Sequence, residues 1–188
     1  MEENKLYGIT EFEEMQKQWD EAILEFDGGQ VFNMAPVSKD HADVCSTLLA
    51  LFRFVLSGKG YKVFGEPYGL SLSGNQKYQP DIQVINADTP IGDYYYEGIP
   101  ALVVEVLSKT SVKRDRRDKF KAYLEKGVPE YWIVSTDIRM IEVFILSGSV
   151  YERHEFLEGD IIDIGLFQND GLGVDRIFGY MNIFEGLF

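Results

Sequence analysis

The chain has 188 residues, 45% of them hydrophobic and 14% aromatic, with one cysteine and a formal net charge of −13. That size and apolar content suit a single folded domain, residues 1–188, with a sizeable core, and exclude a disordered or fibrous chain. No apolar run approaches the roughly 18–20 residues that cross a bilayer; the lone Cys45 excludes an internal disulfide, and the acidic, polar N-terminus does not read as a signal peptide, so a cytoplasmic protein without a membrane segment is expected.

Phe12, Met15, Trp19, Ala22 and Ile23 recur at helical spacing and predict an amphipathic helix over 11–25. Asp27-Gly28-Gly29 marks a turn before a short strand near Val31–Met34. Ser38 is a suitable cap for a second helix, on which His41, Val44, Cys45, Leu48, Phe52 and Val55 share a face until Gly58-Lys59-Gly60 stops it. Residues 61–72 read as one strand, and Asp81–Ile85 as another opened by Pro80. The polar, tyrosine-rich stretch 86–99 reads as a surface loop. Ala101–Leu107 is almost wholly apolar, the pattern of a strand buried on both faces. A helix over 113–126 ends at Gly127. Tyr131–Ser135 and Met140–Leu146 follow as strands, and 149–188 as edge strands with a short C-terminal helix or loop. This order predicts an α/β (α+β) fold, a mixed sheet with helices packed on it.

Glu105 is the only polar side chain of its strand. A bare buried carboxylate costs several kcal/mol, so Glu105 needs a cation, a hydrogen-bond partner or solvent. Two readings stand: a structural ion pair or a site carboxylate. Asp81, alone, reads equally as a turn aspartate. Together the two carboxylates repel unless a cation lies between them, and Mg²⁺ takes one or two carboxylates while keeping positions for water and phosphate. On the next helix Ser111, Asp115, Lys119 and Tyr123 recur every four residues. Lys119 there serves either a phosphate or an ordinary Asp115–Lys119 surface pair.

The acidic balance argues against broad adhesion to DNA, because phosphate binding rests on Lys and Arg. Yet six of the 18 basic residues fall within 113–121: Lys113, Arg114, Arg116, Arg117, Lys119 and Lys121. Positive charge is therefore concentrated on one stretch, where it offers phosphate contacts.

Pro80-Asp81-Ile82, then Gly98-Ile99-Pro100-Ala101-Leu102-Val103-Val104-Glu105-Val106-Leu107-Ser108, then Asp115, Lys119 and Tyr123, then Gly127-Val128-Pro129-Glu130-Tyr131-Trp132-Ile133-Val134 form an ordered set. With Leu24-Glu25-Phe26-Asp27-Gly28-Gly29-Gln30, Met34-Ala35-Pro36 and His41 upstream, it resembles the Uma-type family of restriction-endonuclease-like proteins from about residue 10 to 180. The resemblance implies a PD-(D/E)XK nuclease fold that binds Mg²⁺ or Mn²⁺ through Asp81, Glu105 and the Val106 carbonyl, with a lysine assisting a water that attacks the phosphodiester. It also implies that Glu25 holds a metal-bound water and that His41 supports the site, against a bland reading of His41 as a core histidine. The superfamily places its lysine two residues after the glutamate, where this chain has Leu107. The Uma-type branch takes it from the following helix, here Lys119, with Lys109 as a rival on the strand parity of Glu105. Gly28 and Gln30 stand where the family has Asp and Glu.

Three functions follow as expectations. The first is a metal-dependent endonuclease acting on DNA. The second is a non-catalytic DNA- or protein-binding module that retains the fold, favoured by the −13 charge and by Leu107. The third is a metal-dependent phosphohydrolase of small nucleotides. A nuclease that cuts both strands often works as a homodimer, for which the loop 91–100 and the edge strands at 140–156 are candidate interfaces.

Overall fold

A computed structural model describes residues 5–19 and 22–179. In chain order its helices and strands are α1 (Ile9–Gln18), β1 (Leu24–Asp27), β2 (Gln30–Asn33), α2 (Lys39–Val55), β3 (Tyr61–Gly65), β4 (Gly69–Ser73), β5 (Gln76–Tyr78), β6 (Ile82–Asn86), β7 (Tyr95–Glu97), β8 (Leu102–Val106), α3 (Phe120–Lys126), β9 (Glu130–Ser135), β10 (Met140–Ser147), β11 (Val150–Phe156), β12 (Ile161–Ile162), β13 (Leu172–Gly173) and α4 (Val174–Phe178). The chain divides into two compact units. One comprises residues up to Pro36, Glu66–Pro80 and Pro90–Gly98; the other comprises Val37–Gly65, Asp81–Thr89 and the chain from Ile99 onward. Among the described residues no helix is long and apolar enough to cross a membrane.

The first unit holds a five-stranded sheet in the order β2-β1-β5-β4-β7. Phe12 of α1 stacks on Phe26 of β1, with ring centroids 5.0 Å apart, and Leu24 completes this small core. The helix expected to reach residue 25 stops at Gln18, and Trp19 is 51% exposed. Leu24 and Phe26 alternate around Glu25 in a strand paired on both edges, so their period of two overrides the run of helical spacing before them. Residues 20, 21 and 180–188, which the expected first helix and C-terminal element include, lie outside the described residues.

The second unit holds a mixed six-stranded sheet in the order β11-β10-β9-β8-β6-β3, with β8 and β9 parallel and the other pairs antiparallel. Alternation along the strands sorts its faces. Val63, Ile82, Val84, Leu102, Val104, Val106, Trp132, Val134, Ile141 and Val143 cluster with Val44, Leu48, Leu51 and Phe52 of α2. Phe52 meets Trp132 edge-on at 5.3 Å. Tyr131 and Phe144, of opposite parity to Trp132 and Val143, pack with Phe120 of α3, and Tyr131 also packs with Tyr123. The Ser38 hydroxyl caps α2 by accepting from the His41 N–H at 3.3 Å. Gly127, at φ 76°, ends α3 in the left-handed conformation that suits glycine.

Several expected elements differ. The strand expected over 61–72 is two, β3 and β4, which belong to different sheets. The loop expected over 86–99 contains β7, which runs parallel to β4 and buries Tyr96. The single helix expected over 113–126 begins with a π-helical segment, Arg114–Lys119, before α3. β10 lies between β9 and β11, so of the strands expected as edges at 140–156 only β11 is one.

Candidate functional site

The antiparallel register of β6 and β8 pairs Ile82 with Val104, and one step further places Asp81 opposite Glu105. Asp81 sits just before β6. Its Oδ2 accepts the backbone N–H of Val106 at 2.6 Å, and its Oδ1 lies 3.3 Å from Nε2 of His41 on α2. Nδ1 of His41 lies 3.5 Å from Sγ of Cys45, one helical turn on. These contacts are satisfied together when Cys45 S–H donates to Nδ1 and Nε2–H donates to Asp81.

Glu105 is 3% exposed. Its Oε1 accepts from Lys119 Nζ at 2.8 Å and from the Tyr123 hydroxyl at 2.9 Å. Lys119, 1% exposed, also lies 3.6 Å from Oδ1 of the buried Asp115. The register thus places the two carboxylates opposite each other, while their hydrogen bonds run to different helices: Asp81 to α2, and Glu105 to the π-helical segment and α3. Such segments are over-represented at functional sites; this one buries Asp115 and Lys119 while Lys113, Arg116 and Arg117 remain exposed. Burying an ammonium and carboxylates costs several kcal/mol each unless their mutual attraction and further hydrogen bonds offset it. Here two acids flank the Lys119 ammonium, and the Tyr123 phenol bonds the same Glu105 oxygen. Burial, and then the fields of Glu105, Asp115 and Asp81, push the Tyr131 phenol well above its ordinary range, so it remains a neutral donor; its hydroxyl binds the Asp115 carbonyl at 3.2 Å.

In chemical terms, the Asp81 and Glu105 carboxylates and the Val106 carbonyl are hard oxygen donors, the set that suits Mg²⁺ or Mn²⁺. An adjacent ammonium complements an anionic oxygen. The Uma2 family profile, described as "Putative restriction endonuclease", matches residues 9–174. The chain belongs to the Uma2 family.

An uncharacterized protein of the cyanobacterium Synechocystis sp. is 27% identical over 179 residues, covering 90% of this chain and 89% of that one. The fold is shared with a crystal structure described as a putative nuclease belonging to DUF820 from Anabaena variabilis. The TM-score is 0.70 at 18% identity, over 82% of this chain and 89% of that one.

The residues carried over from the Uma-type resemblance are distributed unevenly. Lys119 reaches Glu105. Lys109 is exposed in a turn, because β8 ends at Val106 before strand parity can carry to position 109. Glu25 belongs to the other unit, where it is fully buried and accepts from the Gln79 N–H at 2.7 Å. Of the basic stretch, Arg116 bonds the buried Glu142, which Arg153 also holds. Burial pushes the Glu142 carboxyl up, but the two arginines outweigh it and hold it below its ordinary value. Exposed Arg117 pairs with Asp118, and exposed Lys121 with Glu125 at 3.6 Å.

One contributor escapes the sequence reading of the site, and a second, Tyr123, stands out there on the face of Asp115 and Lys119 without a role, which its bond to Glu105 supplies. Cys45 lies four residues after His41 on the apolar face of α2, where a cysteine reads as core.

Proposed function

We propose that the chain is a divalent-metal-dependent nuclease that hydrolyses DNA phosphodiester bonds at the Asp81–Glu105 strand pair. The observation that carries this reading is the buried Lys119 ammonium on Glu105, directly across the register from Asp81. Asp81, Glu105 and the Val106 carbonyl are the residues that would hold Mg²⁺ or Mn²⁺. The bound cation would polarise the scissile phosphate and lower the pKa of a water. The Val106 N–H and His41 fix the two oxygens of Asp81 in place. Tyr123 and Lys119 orient Glu105, and Lys119 supplies positive charge for a phosphate oxygen. Lys113, Arg117 and Lys121 are the backbone phosphate contacts, whereas Arg114 is half-buried, with its Nε and Nη2 out of solvent. The exposed pairs of Arg117 and Lys121 are screened by solvent and yield to phosphate. Arg116 serves mainly to neutralise Glu142. The reading places the protein in the cytoplasm and, for cleavage of both strands, as a homodimer.

The test is incubation with supercoiled, linear and single-stranded DNA in Mg²⁺ or Mn²⁺. Cleavage that EDTA abolishes, and that both Asp81→Asn and Glu105→Gln lose, is expected. Folded wild type that leaves every substrate intact would overturn the nuclease reading. One observation favours a second reading, a DNA-binding module without turnover: Glu105 is already neutralised by Lys119 inside the protein. Metal-independent DNA retention without cleavage would be its result.

A further inference from the structure

The cation proposed above takes hard oxygen donors. Two residues of α2 form, with Asp81, a donor set of different character that shares one of them. A nitrogen of His41, Sγ of Cys45 and an oxygen of Asp81 all lie within 4.8 Å of one another. His41 and Cys45 are i and i+4 on one helix face, the spacing by which a single helix presents two ligands to a metal. His41 and Asp81 are 5% and 9% exposed at residue and side chain respectively, and Cys45 is half-buried. The site is therefore shielded yet reachable.

The geometry points to a second cation site, formed by His41, Cys45 and Asp81, that takes a thiophilic divalent ion of the Zn²⁺ class. Thiolate and imidazole select such ions over Mg²⁺ and Ca²⁺, which prefer oxygen. With metal–nitrogen bonds of about 2.0–2.1 Å and metal–sulfur bonds of about 2.3 Å, the donors of a tetrahedral site lie roughly 3.3–3.7 Å apart. Each neighbour already stands at such a distance from one ring nitrogen: Cys45 Sγ 3.5 Å from His41 Nδ1, and Asp81 Oδ1 3.3 Å from His41 Nε2. A metal takes only one of these ring nitrogens, so the third donor, which lies within 4.8 Å of the other two, has to move in by up to about 1.5 Å. Part of the frame is preset: the Ser38 cap holds the His41 backbone, and the Val106 N–H holds the other Asp81 oxygen. On binding, the Cys45 thiol proton is released to solvent, and the fourth position is left to water.

The site does not require the nuclease reading. If that reading holds, the shared Asp81 makes Zn²⁺ a competitor of Mg²⁺, so zinc would switch the enzyme off.

Co²⁺ alone is the probe, added to the full-length chain under reducing conditions. Cys45 is the only cysteine, so a thiolate-to-cobalt charge-transfer band in the near ultraviolet reports this residue and no other. Expected are a saturable band at one equivalent, its loss when one equivalent of Zn²⁺ is added, at least tenfold weaker Co²⁺ affinity in His41→Ala, and an unchanged band in Glu105→Gln. Absence of the band in folded wild type at saturating Co²⁺ would overturn the proposal. So would a band that His41→Ala and Asp81→Asn leave at full strength. Because Glu105→Gln removes only the hard-donor site, failure of the nuclease reading and failure of this one are read separately.

Discussion

Replacing Lys119 by Met removes the cation that neutralises Glu105, a carboxylate 3% exposed and bonded on one oxygen by Lys119 and Tyr123. Removing one partner of a buried pair costs about 3–5 kcal/mol, because the other charge stays buried without it. In a domain of this size each kcal/mol moves Tm by roughly 2–4 °C, so a fall of about 6–20 °C is expected. Glu105→Gln keeps an acceptor for Tyr123 and leaves Lys119 with Asp115 at 3.6 Å. It is therefore expected to cost less than Lys119→Met, which takes the ammonium away from both acids. The double variant removes both charges and is expected to be more stable than the sum of the two losses by at least about 1 kcal/mol. Urea unfolding followed by circular dichroism measures all four forms. Lys109→Met, at an exposed turn, is the control and is expected within about 0.5 kcal/mol of wild type. Losses that add within about 0.5 kcal/mol, or a Lys119→Met cost below about 1 kcal/mol, would refute the pairing argument.

Three further outcomes are expected. Burial raises the Glu130 carboxyl to about 7, against hydrogen bonds from the Leu166 N–H and the Trp132 indole that favour its charged form. A raised folded-state value means the folded protein holds a proton that the unfolded chain has released, so this contribution to stability is full below about pH 4.5 and declines by about 3 kcal/mol as pH rises to about 7; the difference between wild type and Glu130→Gln across urea titrations from pH 4.5 to 8 should show that slope. Gly165→Ala should cost on the order of 2–4 kcal/mol, because φ is +59° and the added carbon would run into the Glu130 carboxylate, whereas Gly148→Ala, with φ +63° and nothing within 4 Å, should cost about 1–2; thermal denaturation compares them. On DNA, Lys113→Ala should lower the slope of log affinity against log salt by about 1, while Arg116→Ala should chiefly lower protein stability through Glu142; affinity measured across a salt series separates these effects.

The sequence exposed the centre of the second unit well. An apolar run with one acid in it became β8, and the apolar stripe of α2 became the face that covers the sheet. What it concealed depends on contacts between distant segments. The division of 61–72 between two sheets is set by which strands β3 and β4 pair with, and pairing leaves no mark on local spacing. β7 is three residues long and tyrosine-rich, too short for a period to show. The π-helical segment preserves i, i+4 contacts such as Asp115–Lys119, so the helical spacing looked ordinary.

Glu142 in Met140-Ile141-Glu142-Val143-Phe144 carries the same pattern as Glu105, and it is also buried. Its partners are two arginines, one of them from the basic stretch, which makes it a structural ion pair. A buried acid in an apolar strand therefore says that a cation is near, and only the three-dimensional partners say what the cation is for. At Glu105 the partners are a lysine, a tyrosine and, across the register, a second carboxylate.

The central claim, that Asp81 and Glu105 hold a hard divalent cation, is tested most directly by calorimetric titration of Mn²⁺ into wild type, Asp81→Ala and the charge-neutral double variant Glu105→Gln/Lys119→Met, each checked for folding. The account predicts saturable binding in wild type that both variants lose. Wild type that takes up no Mn²⁺, in the absence or presence of DNA, or variants that bind it as tightly as wild type, would contradict it.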